Sequence, residues 1–341
     1  MRRVAGLDSI RFVCALIVVF YHKSNPFRVF SSAKDTHFGR ILIELYSSGF
    51  NGQAAVITFF LISGFCIHYP YASGRRFTAM PFLLARLVRI GIPVVGYLIL
   101  LRVTQRTENL TALLWSIYCE MIYYALYPVL RASFAKTSVL TILLLSYVAA
   151  ALVTMVKLDS AMNFFSAGNL TWLVGLPCWL LGCHLAEQIS RSKENEEPGA
   201  LVVWSYRAGA AGLAFAAQYA MRNYGVAFLI SLQIFALYAY LWIRCEIAWH
   251  RTKPANRLLE WFGGAAYSMY LTHLLTRFVW DDFFGKTKFW MWAGEIGCAL
   301  LVGVVFYALV EMPSHSLARR ISRRARENAG FIPADGPPNG G

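Results

Sequence analysis

The chain has 341 residues, of which 57% are hydrophobic and 15% charged, with a mean hydropathy of +0.49. That balance excludes a soluble globular protein of this length and points to a polytopic membrane protein. The formal net charge of +14 would suit a nucleic-acid binder, but the cations sort by membrane side, so no nucleic-acid partner is expected.

Apolar segments of about 20 residues fall near 7–23, 53–72, 81–101, 110–130, 138–156, 170–188, 200–221, 224–243, 263–283 and 289–310. The expected fold class is all-α, a membrane helical bundle of about ten transmembrane helices. Two longer loops are expected, at Ser24–Gly52 and Ile247–Leu259. With the N-terminus inside, twenty lysines and arginines lie on the cytoplasmic side and eleven on the outer side. This bias puts both termini in the cytoplasm. Residues 1–318 read as one membrane domain. Residues 319–341 read as a basic cytoplasmic tail whose Pro/Gly-rich end is disordered. The seven cysteines show neither disulfide nor zinc spacing, so they read as packing residues and no metal is expected.

The first span holds Arg11 and His22. A charged group near the centre of a membrane helix costs about 2.5–3.5 kcal/mol or more. Their spacing of eleven residues is about three helical turns, so both side chains share a face about 16 Å apart along the axis. Polar groups kept at that cost line an interior rather than face lipid. The second span runs Phe59-Phe60-Leu61-Ile62-Ser63-Gly64-Phe65, where Ser-Gly permits close helix approach or a kink. The third opens with Arg86 and Arg89, neighbours on one face at the cytoplasmic end and suited to phosphate or carboxylate oxygens.

The fourth span contains the stretch Trp115–Tyr124, with Glu120 in it. An intramembrane carboxylate is a functional candidate that can pair with an arginine, orient a histidine or take a proton. The ninth brings Ser268, Tyr270 and His273 toward a shared interior, and Glu311-Met312-Pro313 reads as the terminus of the last span. His37, His68, His184, His250 and His315 have no supporting pattern and read as structural.

Taken in order, these motifs resemble the acyltransferase-3 family of integral membrane acyltransferases, over roughly Asp8 to Pro313. Arg11 with His22 matches the family's Arg-x10-His, and Phe59–Phe65 its FF-x-x-SGF stretch. Arg86 and Arg89 match its Arg-x-x-Arg, Trp115–Glu120 its WS-x-x-x-E, Ser268–His273 its S-x-Y-L-x-H, and Glu311 with Pro313 its E-x-P.

The resemblance implies transfer of an acetyl or other short acyl group from cytoplasmic acyl-CoA to a hydroxyl of a surface or exported polysaccharide or glycolipid. His22 would act as general base or as a transient acyl carrier. Arg11 would stabilise the oxyanion or hold the donor arm, and Glu120 would orient His22 or Arg11, or accept from the incoming hydroxyl. Arg86 and Arg89 would hold donor phosphates, while Ser63, Tyr124, Ser268, Tyr270 and His273 would contact substrate. No cofactor is bound permanently, and acetyl-CoA is a co-substrate. The expected partners are the acyl-CoA donor, a glycan or glycolipid acceptor and the lipid bilayer, with a homodimer left open. The expected location is the bacterial cytoplasmic (inner) membrane. The rival reading is a proton-coupled transporter or exporter working through Arg11, Glu120 and His22. The lack of an evident internal repeat weighs against it.

Overall fold

A computed structural model of the chain describes residues 4–23, 25–29, 35–105, 110–157, 163–192, 197–285 and 291–328. The described residues form helices and contain no strand. In order these are α1 (Leu7–His22), α2 (His37–Gly49), α3 (Gly52–Ala72), α4 (Ala79–Val103), α5 (Leu110–Phe134), α6 (Val139–Val156) and α7 (Thr171–Arg191). Then come α8 (Ala200–Tyr224), α9 (Phe228–Trp249), α10 (Arg257–Gly264), α11 (Ala266–Phe284), α12 (Trp292–Phe306) and α13 (Met312–Asn328).

Seven helical stretches among the described residues are long and apolar enough to cross a membrane; they contain α3, α4, α6, α7, α8, α9 and α12. The expected count of about ten is not reached. α1 has only 16 residues and carries Asp8 and Arg11. α5 carries Glu120 and Arg131, and α11 carries Arg277, Asp281 and Asp282. The helices that fall short carry Arg11, His22, Glu120, Ser268, Tyr270 and His273, whereas Ser63, Arg86 and Arg89 lie on stretches that qualify.

α3 and α7 form the centre, with most of their side chains buried. α4, α6, α8 and α12 lie outside and expose apolar side chains such as Ile99, Leu144, Leu201 and Leu301. Soluble proteins bury such surfaces, whereas lipid chains solvate them at no cost. The two central helices meet through glycine. A Cβ on Gly64 would lie 1.9 Å from the carbonyl oxygen of Trp179, and one on Gly182 would lie 2.0 Å from that of Leu61. The backbones therefore touch, which is the close approach expected of the Ser63-Gly64 step.

Three boundaries differ from the sequence reading. The stretches expected as long loops hold α2 and the start of α10. Asn256 begins α10 by accepting from the amides of Leu258 and Leu259. The expected ninth span breaks at Ala265, between α10 and α11. The expected terminus at Glu311–Pro313 is instead a π-helical turn, Tyr307–Glu311, that joins α12 to α13. The wider turn makes room for the Pro313 ring, and the amide that proline lacks removes one donor from a register with fewer partners. α13 packs along α4 and continues to Asn328, so the basic tail begins within a helix of the bundle. The Pro/Gly-rich end, 329–341, lies outside the described residues.

Gly64→Ala should cost about 1–3 kcal/mol, the usual range for overpacking. Gly91→Ala should be neutral, because a Cβ there meets only Leu87 of its own helix, at 3.9 Å. Thermal unfolding of both variants in detergent compares them; equal melting temperatures would remove the proposed role of the α3–α7 contact.

Candidate active site

α1 is fixed at both ends before any ligand arrives. Near its start, Glu260 of α10 accepts from the Ser9 amide at 2.8 Å and the Ser9 hydroxyl at 2.6 Å. At its end, the main-chain oxygen of His22 accepts from the Arg277 guanidinium of α11. The last carbonyls of a helix have no partner within it, and a cation there also suits the helix dipole. Next to it, Lys23 and Glu295 form a buried ion pair at 2.8 Å, tying α1 to α12.

At the Arg11 end, Arg11 donates to Asp8 at 2.5 Å and to the Cys66 sulfur at 3.3 Å. Arg89 lies within electrostatic range of Arg11, Arg86, Tyr124 and Glu311. The Arg86 guanidinium sits 5.6 Å from the ring centroids of both Phe82 and Tyr124, a cation–π arrangement. Arg89 Nε is 3.0 Å from His315 Nε2, which is itself 3.3 Å from Glu311. Three arginines from α1 and α4 therefore converge at one end of the bundle.

Glu120 occupies the next layer. It accepts from Ser63 at 2.8 Å and from the Tyr124 hydroxyl. Ser63 and Tyr124 are 3.0 Å apart, and Trp179 donates to Ser63 at 3.3 Å. This corrects the expectation that Glu120 orients His22 or Arg11. Its hydrogen bonds go to α3 and to its own helix, because Ser63 faces it across the α3–α5 contact. Ser63 and Tyr124 are accordingly committed to Glu120.

At the other end, the His22 ring packs on the His273 ring, with centroids 5.0 Å apart. His273 is fully buried. Its Nδ1 is 2.5 Å from the Tyr270 carbonyl oxygen, so Nδ1 carries the hydrogen and Nε2 keeps its lone pair. Nε2 is buried without a partner among the described residues. The Tyr270 hydroxyl is 2.6 Å from Ser116. Ser268 does not fit a substrate-contacting role: it is fully buried, and its hydroxyl donates to Glu311 at 2.5 Å. It joins α11 to the π turn.

His22 is half-buried and lines an open pocket of about 800 Å³ together with Phe20, Tyr46, Phe50, Gln218, Arg222 and Arg277. His273 lies behind His22, outside that lining. The sequence reading missed Arg277, although Tyr270, His273 and Arg277 recur at helical spacing on one face. It also left His315 as structural, although Glu311 and His315 are four apart. Among the described residues no group of three or more His, Cys, Asp or Glu stands ready to hold a metal.

An α-helical bundle whose outer helices expose apolar side chains, with a histidine pocket at one end and an arginine cluster at the other, fits an integral membrane protein. A family model described as an acyltransferase domain matches residues 4–312. The chain therefore belongs to the acyltransferase-3 family and is a membrane acyltransferase. No curated protein and no solved structure matches it.

Lys23→Met should destabilise the protein by about 3–5 kcal/mol, because Glu295 is then a buried, unbalanced charge. Adding Glu295→Gln should return most of that loss. Unfolding of the single and double variants measures the pair, and a double variant as weak as the single would argue against it.

Proposed function

We propose that the protein is an O-acyltransferase of the bacterial cytoplasmic membrane. It moves an acetyl or other short acyl group from cytoplasmic acyl-CoA to a hydroxyl of a surface or exported polysaccharide or glycolipid. The observation that carries the reading is the position of His22. It lines an open pocket and packs its ring against the buried ring of His273, on the same helix as Arg11.

The chemistry follows from that position. A thioester is already activated, whereas a sugar hydroxyl is a weak nucleophile. His22 takes the hydroxyl proton as oxygen attacks the thioester carbonyl. The carbon–sulfur bond then breaks, and the proton passes to the departing thiolate to give free CoA. Arg11 stabilises the oxyanion or guides the acyl arm. Arg86 and Arg89 hold donor phosphates, for which guanidinium groups supply paired donors. His273 acts as a positioning residue: its Nε2 has no partner among the described residues. A turn of the adjacent His22 ring during transfer would bring the second N–H of His22 to it, selecting the tautomer that leaves a base facing the pocket. Glu120, held by Ser63 and Tyr124, keeps the wall between the two ends in place.

Purified protein given acetyl-CoA labelled in the acetyl group should release CoA and label an acceptor glycan, whereas a transporter would consume no thioester. His22→Ala should lower turnover about a hundred- to ten-thousandfold. His273→Phe should lower turnover with the donor KM unchanged, and His273→Gln, which keeps an acceptor, should retain part of it. Full turnover in His22→Ala would sink the assignment.

The double variant Arg86→Ala/Arg89→Ala should weaken acyl-CoA binding by about tenfold or more, as expected for lost charge-assisted contacts. Titration with CoA reads this directly, and unchanged affinity removes the phosphate role.

A further inference from the structure

The pocket beside His22 shows what its ligand must present. Several of its neutral polar groups are already spent within the protein. Asn25 donates to the Ile43 carbonyl at 2.8 Å and to Ser47 at 2.9 Å, and accepts from the Phe27 amide at 3.0 Å. The Tyr46 hydroxyl donates to the Phe20 carbonyl at 3.3 Å and accepts from Trp292 at 3.2 Å. What remains is cationic, plus one amide.

The lining holds Lys23, Arg28, Arg222 and Arg277 against a single carboxylate, Asp281. Lys23 is spent on Glu295. Arg222 lies 3.5 Å from Glu44, and Arg277, bonded through one nitrogen to the His22 carbonyl, lies 4.0 Å from Asp281, so neither has a close carboxylate of its own in the pocket. Arg28 is exposed and has no carboxylate partner among the described residues. A guanidinium can only donate, so these groups call for acceptor oxygens that carry negative charge. Gln218 adds the complementary demand. It is 2% exposed and lines the pocket, and its Oε1 has no hydrogen-bond partner among the described residues. A buried amide oxygen of this kind is met by a donor such as a hydroxyl. The rings of Phe20, Tyr46 and Phe50 supply flat apolar surface beside these groups.

We infer that the pocket binds an anionic sugar, a glycosyl unit that carries a carboxylate or phosphate together with free hydroxyls, and that Arg28 and Gln218 recognise the two features. This rests on the reading of the pocket as the acceptor side of an acyl transfer. It deepens that reading by naming the acceptor's chemistry. The anion and the hydroxyl must lie on one compact unit, because both recognising groups border the same cavity as His22.

Binding tests the inference without turnover. The full chain in detergent is titrated with methyl glucuronoside, glucose 1-phosphate, methyl glucoside and inorganic phosphate. Both charged sugars should bind about tenfold or more tightly than methyl glucoside, and inorganic phosphate about tenfold more weakly than glucose 1-phosphate. Arg28→Gln should remove most of the advantage of the charged sugars, while Gln218→Leu should weaken all three sugars alike. Equal binding of charged and neutral sugars overturns the inference, as does no measurable binding of either charged sugar. Equal binding of inorganic phosphate and glucose 1-phosphate, or displacement of the sugars in phosphatidylglycerol nanodiscs, assigns the site to a bare anion or a lipid headgroup and also overturns it. If acetyl-CoA is never consumed, the acyl-transfer reading fails on its own, and these affinities still decide what the pocket binds.

Discussion

The structure depends on the contact between the backbones of α3 and α7. Gly64 and Gly182 leave no room for a Cβ on either helix, so the carbonyls of Trp179 and Leu61 sit where side chains would otherwise stand. In lipid there is no hydrophobic drive to press helices together, because the surrounding chains are as apolar as leucine. Close approach of small residues supplies packing attraction instead. Once α3 is fixed, Ser63 is fixed beside Glu120 and Trp179, and Cys66 beside Arg11. The glycine contact thus sets the position of side chains on both flanking polar helices.

Around that centre the bundle separates two tasks. The outer helices meet lipid with apolar side chains. α1, α5 and α11 carry ionisable groups that lipid would not tolerate, and the buried carboxylates of the bundle are met from inside. Glu120 has Ser63 and Tyr124, Glu311 has Ser268, and Glu295 has Lys23. Buried charges persist only when they are paired or hydrogen-bonded. The Nε2 of His273 departs from that pattern, since it is buried without a hydrogen-bond partner among the described residues. It also lies next to His22, where the proposed proton transfer occurs.

The two ends of α1 differ in kind. The Arg11 end gathers Arg11 and Arg86 within electrostatic range of Arg89, a concentration of positive charge that gains from an anionic ligand. The His22 end is open, aromatic and rich in guanidinium groups. A donor with phosphates and an acceptor with hydroxyls would meet along one helix, with the histidine near the point of contact.

The membrane class, the all-helical fold, most span positions and the family were legible in the sequence, because long apolar runs and ordered motifs are local properties of the chain. Arg11 and His22 on one face followed from helical spacing alone. The sequence could not say which residues share hydrogen bonds across helices. Glu120 was expected near His22 or Arg11 and lies with Ser63 and Tyr124; Ser268 was expected at substrate and holds the π turn. The break at Ala265 was hidden because apolar composition continues across it, and the helix running through Pro313 because a glutamate and a proline at the end of an apolar run look like a terminus. Arg277 and Gln218 looked like ordinary residues on their own helices. They became part of the pocket only when α8 and α11 were packed against the end of α1. Periodicity sets which face a side chain occupies, whereas only tertiary packing decides what that face meets.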